Sequence, residues 1–71
     1  MSDSTIKITV NGFGEKVPDG STISYLIEHL KEGDRHLLVE HNGKFIQPQH
    51  WETIAVDDGD TIEFIHACFG G

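Results

Sequence analysis

Hydrophobic and polar positions alternate near the start of the chain, where Ile6, Ile8 and Val10 are separated by Lys7 and Thr9. A period of two belongs to a strand with one buried face, so a first strand is predicted over residues 6–10. Asn11-Gly12 follows, a pair that tolerates left-handed backbone geometry, and it predicts a tight turn into an antiparallel strand over residues 13–17. Pro18, Asp19 and Gly20 end that strand. From Thr22 the period changes. Ile23, Leu26, Ile27 and Leu30 recur three or four apart and form one apolar helical stripe that covers a sheet. Ser21 or Thr22 supplies the N-cap oxygen, although Ser24 and Tyr25 stand where a complete capping box has Glu or Gln. Gly33 marks the predicted end of the helix, with Lys31 near its carbonyl-rich terminus.

A second extended region begins near His36, with Leu37 and Val39 pointing inward and Glu40 outward. Asn42-Gly43 repeats the turn signal of the first hairpin and predicts a return through Lys44, Phe45 and Ile46. Gln47, Pro48, Gln49 and His50 read as irregular, at most a short helical turn, with Trp51 as a half-buried anchor of this connection. Asp57, Asp58, Gly59 and Asp60 make a turn into the last strand, Thr61 to Ile65. In that strand Ile62 and Phe64 share a face, while Ile65 breaks the alternation and is expected to meet a partner or another layer.

The predicted order is strand, strand, helix, strand, short strand, strand. In so short an α+β chain this gives a small grasp-like mixed sheet of four to five strands covered by one main helix. A right-handed crossover places the C-terminal strand centrally beside the first, if the two run parallel. The 71 residues allow one domain with a thin core and little room for an enclosed pocket, and no repeat or linker competes with that reading. Five basic residues against twelve acidic ones give a net charge of −7, which argues against nucleic acid or an anionic membrane as partner and favours a basic protein surface. The single cysteine, Cys68, excludes an intrachain disulfide and a cysteine zinc cluster, so a reducing compartment is expected. Without a basic, apolar leader or a long apolar run, the expected location is the cytoplasm.

After the last strand the sequence continues His66-Ala67-Cys68-Phe69-Gly70-Gly71. Residues 67–71 are expected to form a flexible tail. Two terminal glycines, which lack Cβ atoms, would let it enter a narrow channel and present a carboxylate that bulkier residues would obstruct; the alternative is an end with no task. A carboxylate is a poor electrophile, but activation by ATP would make an acyl adenylate from which a sulfur nucleophile displaces AMP. The chain has no GxxxxGK[ST] motif, and Gly12 and Gly14 fall in a hairpin, so a separate enzyme must supply the ATP site.

With Gly70-Gly71, the leading strand of residues 6–10, Thr22-Ile23 followed by Leu26-Ile27, Val39-Glu40-His41-Asn42-Gly43, Trp51, Asp58-Gly59-Asp60 with Ile62-Glu63, and His66, the chain resembles the ThiS family of ubiquitin-like sulfur carriers. These features span nearly its whole length, residues 1–71. The resemblance implies a β-grasp (ubiquitin-like) fold, monomeric when free, and a protein cosubstrate in place of an enzyme. It implies that Gly71 is adenylated by a ThiF-like adenylyltransferase using ATP and magnesium, with no cofactor bound by the carrier itself. Sulfur from a cysteine desulfurase or another donor would then make a thiocarboxylate, and a ThiG-like thiazole synthase would use that sulfur for the thiazole of thiamine. Molybdopterin, tungsten-cofactor, cysteine or another sulfur pathway is the same-fold alternative. A ubiquitin-like binding or conjugation module is the alternative of another class.

Phe69 departs from the small residue that often precedes the two glycines in this family, and is expected to contact a partner's apolar pocket or to select a branch of the pathway. Cys68 has neither an evident activating base nor a positive helix end in the sequence, so a small apolar contact is favoured over covalent chemistry. His66 is expected to make a strand-end hydrogen bond or a partner contact rather than act in acid–base chemistry. His29, His36, His41, His50 and His66 show no ligand spacing, and no metal site is expected. Asp57, Asp58 and Asp60 read as a solvated turn that lacks the longer pattern of a calcium loop.

Overall fold

The computed structural model describes residues 4–30 and 37–66. Among these residues, five strands, one α-helix and a single 3₁₀ turn follow in the order β1 (Thr5–Val10), β2 (Phe13–Pro18), α1 (Ile23–His29), β3 (Leu37–His41), β4 (Lys44–Ile46), the 3₁₀ turn Pro48–His50, and β5 (Thr61–His66). The strands form one mixed sheet in the order β2-β1-β5-β3-β4. β5 runs parallel to β1 and antiparallel to β3, so the last strand lies at the centre, as the crossover argument predicts.

Both hairpins turn where the Asn-Gly pairs stand. Asn11 and Gly12 take φ of 50° and 88°, and Asn42 and Gly43 take 53° and 85°. Two successive left-handed residues twist the strands in the sense the sheet requires. Pro18 joins β2 as its last residue instead of preceding the break, a position open to proline because β2 is an edge strand.

Thr22, and not Ser21, caps α1: its Oγ1 accepts from the Tyr25 N–H at 3.1 Å. The next free donors at this end are met by the long connection between the 3₁₀ turn and β5. Ile23 N–H donates to the Ile54 carbonyl at 3.0 Å and Ser24 N–H to the Trp51 carbonyl at 2.8 Å. The Trp51 indole N–H in turn donates to the Ile46 carbonyl at 3.2 Å, so the half-buried Trp51 anchors this connection as expected. The helix ends at His29 with Leu30 as C-cap, earlier than Gly33, because the Leu30 ψ of 4° leaves the helical basin. Gly33, Lys31 and His36 lie outside the described residues.

The core lies between α1 and one face of the sheet. Ile8, Val10, Val17, Leu37, Val39, Ile62 and Phe64 point to it from the strands, Ile23 and Leu26 from the helix, and Val56 from the connection. Ile65 is no break in the pattern: β5 alternates Ile62 and Phe64 inward with Glu63 and Ile65 outward. Among the described residues no helix is long and apolar enough to cross a membrane.

Candidate functional site

The last described strand, β5, is the central strand of the sheet. β5 is flanked by β1 and β3, its inward residues Ile62 and Phe64 are buried, and both hairpin asparagines bond to its backbone. Asn11 Oδ1 accepts from the Phe64 N–H and Asn42 Oδ1 from the Thr61 N–H, each at 2.8 Å. The turn backbones add bonds from Asn11 N–H to the Ile62 carbonyl, 3.0 Å, and from Asn42 N–H to the Thr61 carbonyl, 2.8 Å. A sequence reading sees these asparagines only as turn formers. Their second role depends on residues 19 to 53 positions away.

The acidic turn before β5 is not simply solvated. Asp57 and Asp58 are exposed, but the Asp60 side chain is only 14% exposed, and its carboxylate takes hydrogen bonds from three directions. His41 Nε2 lies 2.6 Å from Asp60 Oδ2, the Asp57 N–H donates to the same oxygen at 2.8 Å, and Asn42 Nδ2 donates to Oδ1 at 3.1 Å. Burial pushes the Asp60 carboxyl up, and the bonds from His41, Asp57 and Asn42 together with the His41 charge outweigh it and hold it below its usual value. Asp58 also has a structural task, accepting from the Lys7 N–H at 2.9 Å, while Gly59 N–H donates to the Lys7 carbonyl at 2.8 Å. The expectation of a solvated turn holds for the exposed Asp57 and Asp58 and is corrected at Asp60; Asp58 and Asp60 together fasten the start of β5 to β1 and to the β3–β4 turn.

Of the residues singled out for the tail chemistry, His66 is the exposed last residue of β5, opposite Leu37. Cys68, Phe69, Gly70 and Gly71 lie outside the described residues. Among the described residues no group of three or more His, Cys, Asp or Glu side chains is placed to hold a metal ion. An open surface depression is lined by Pro18, Asp19, Gly20, Ser21, Thr22 and Tyr25, all from the β2–α1 corner and none from β5.

Among the described residues no helix covers the sheet face away from α1. On it Leu38 stands opposite Ile65, Glu40 opposite Glu63, and Phe45 opposite Glu40. Phe45 is 53% exposed, Ile65 40% and Leu38 38%. Of these, Ile65 drew attention in the sequence, but its apolar neighbour Leu38 is identified only once the β3–β5 register is known.

Comparison with known proteins agrees with this architecture over most of the chain. The thiamine biosynthesis protein (ThiS) from Geobacter metallireducens superimposes with a TM-score of 0.83 at 29% sequence identity, over 93% of this chain and 100% of that one. The shared fold is the β-grasp, a mixed five-stranded sheet with one helix. No curated protein sequence matches the chain. A family model described as the ThiS family matches residues 5–71, from the first residue of β1 through Gly70 and Gly71, and on that match the chain belongs to the ThiS family.

Proposed function

We propose that the protein is a sulfur carrier for thiamine biosynthesis and that its working atom is the carboxyl carbon of Gly71. The observation that carries this reading is the family match running through Gly71, on a fold whose central strand β5 leads into the diglycine tail. The thiamine assignment is supported by the similar Geobacter metallireducens protein, described as a thiamine biosynthesis protein. In this reading the Gly71 carboxylate attacks the α-phosphorus of ATP, bound with magnesium by a ThiF-like adenylyltransferase, and pyrophosphate leaves. Sulfur from a cysteine desulfurase persulfide or another donor then attacks the acyl carbon and expels AMP, and where the nucleophile is a persulfide a thiol cleaves the resulting acyl disulfide, leaving the sulfur on Gly71 and the thiol oxidised to a disulfide. The resulting thiocarboxylate delivers its sulfur to a ThiG-like thiazole synthase, and Gly71 returns as a carboxylate.

The chain's own part is to bind, orient and be recycled, as a cosubstrate of enzymes working in the cytoplasm. Gly70 keeps the approach to the reacting carbon narrow, while Phe69, Cys68 and His66 make contacts near the partner's channel. Deleting Gly71 tests the reading: sulfur loading should be lost while the fold and binding to the adenylyltransferase persist. Normal loading without Gly71 would sink it.

A further inference from the structure

The two Asn-Gly turns share a chemistry that the carrier reading does not use. In such a pair the glycine amide nitrogen can attack the asparagine side-chain carbonyl, because no Cβ stands in the way. Asn11, Gly12, Asn42 and Gly43 are all exposed, and a Cβ at either glycine would meet nothing within 4 Å, so the space beside both is open to water. Each asparagine Oδ1 also accepts a backbone N–H at 2.8 Å, from Phe64 at Asn11 and from Thr61 at Asn42. That donor sits where negative charge gathers when the amide carbonyl is attacked. The two amides differ at the nitrogen. Asn42 Nδ2 donates to Asp60 Oδ1 at 3.1 Å, while Asn11 Nδ2 has no hydrogen-bond partner among the described residues.

We propose that Asn11 is a site of spontaneous deamidation in the folded domain, and that Asp60 protects Asn42 from the same reaction. The Gly12 nitrogen bonds to Asn11 Cγ and gives up its proton, the Cγ–Nδ2 bond breaks, and ammonia leaves with that proton, closing a cyclic imide. Water then opens the imide at either carbonyl. Opening at Cγ leaves an aspartate at position 11, and opening at the main-chain carbonyl leaves an isoaspartate, with the chain routed through the side chain. One water is consumed and one ammonia released, with no oxidant or reductant. At Asn42 the same attack must first pull Nδ2 away from a charged acceptor, which raises the barrier. The products differ as well. An aspartate at position 11 keeps an acceptor for the Phe64 N–H, whereas an isoaspartate adds a methylene to the turn and displaces that oxygen. A carboxylate at position 42 would stand against Asp60, like charge to like charge.

The experiment incubates the intact, folded chain in mildly alkaline buffer and follows both turn peptides by mass spectrometry, where deamidation reads as a gain of about 1 Da as NH₂ becomes OH. The Asn11 peptide should convert roughly tenfold faster than the Asn42 peptide, or more, the factor a charge-assisted hydrogen bond supplies when it must break on the way to the transition state. In concentrated urea the two should convert at similar rates, since the difference belongs to the fold. Asp60→Asn should raise the rate at position 42 toward that at position 11 and leave position 11 unchanged, which a general loss of folding would not do. Equal or faster conversion at Asn42 in the folded protein, the same bias persisting in urea, conversion at Asn11 only through the unfolded fraction, or no rise at position 42 in Asp60→Asn would each overturn the proposal.

Discussion

The Asn11 side chain accepts the Phe64 backbone N–H at 2.8 Å, across 53 positions of sequence. β1 and β5 pair in register only at Thr9–Thr61 and Val10–Ile62, so beyond that point β1 has turned away and Asn11 supplies the missing acceptor. Asn11→Gly keeps the left-handed turn and removes the acceptor, and should cost about 1–2 kcal/mol. Hydrogen exchange should show the Phe64 amide losing protection, while Asn11→Asp, which keeps an acceptor oxygen, should retain most of it. Unchanged Phe64 protection in Asn11→Gly would show that the side chain does not hold the strand.

Asp60 makes stability depend on acid. Its carboxyl lies below the usual 3.8 in the folded protein, so the unfolded chain takes up the proton at a higher pH than the folded one does. The contribution is fully present above that ordinary value and is lost as pH falls through the lower folded one. Asp60→Asn should therefore be less stable than wild type at neutral pH, with the difference narrowing under acid. Urea midpoints across the acid range measure it, and parallel curves for the two proteins would contradict it.

Leu26 is completely buried on α1, facing the sheet. Truncation to alanine removes a large side chain from a core of few residues and should cost about 2–5 kcal/mol. For a domain whose total stability is expected to be near the low end of about 5–15 kcal/mol, that is a large share. Urea unfolding should show a sharply lowered midpoint, or loss of the cooperative transition at physiological temperature, whereas Tyr25→Ala on the exposed side should change little.

Gly43 separates strain from crowding. Its φ is +85°, and a Cβ there would meet nothing within 4 Å. Gly43→Ala should thus lose only the conformational difference, about 1–2 kcal/mol, with β3 and β4 kept in register. A thermal melt gives the loss, and amide chemical shifts at Val39 and Ile46 report the register.

The elements were legible because each is written in near neighbours. Alternation marks β1 and β5, the 3–4 spacing from Ile23 to Leu30 marks α1, and the two Asn-Gly pairs mark turns whose backbone angles only a few residues accept. The central place of β5 followed from handedness once the order of elements was known. What periodicity does not carry is a polar contact between distant residues. The bonds of Asn11 and Asn42 to β5, and of His41 to Asp60, join segments whose separation carries no local signal. The site divides the same way: Gly70-Gly71 is a local motif, readable at once. The Glu40–Glu63 and Leu38–Ile65 pairs exist only through the register between β3 and β5, so in sequence they were an outward acid, an unremarkable strand residue and an apparent fault in alternation.

Intact and C-terminal-fragment mass spectrometry on protein taken from its native cells, or treated with ATP, magnesium and the host's activating and sulfur-donor enzymes, tests the central claim most directly. The account predicts a labile gain of about 16 Da confined to Gly71, as sulfur replaces one carboxyl oxygen after acyl activation. An unmodified terminus in the presence of partners proven active, or a Gly71 linked to lysine, would contradict it.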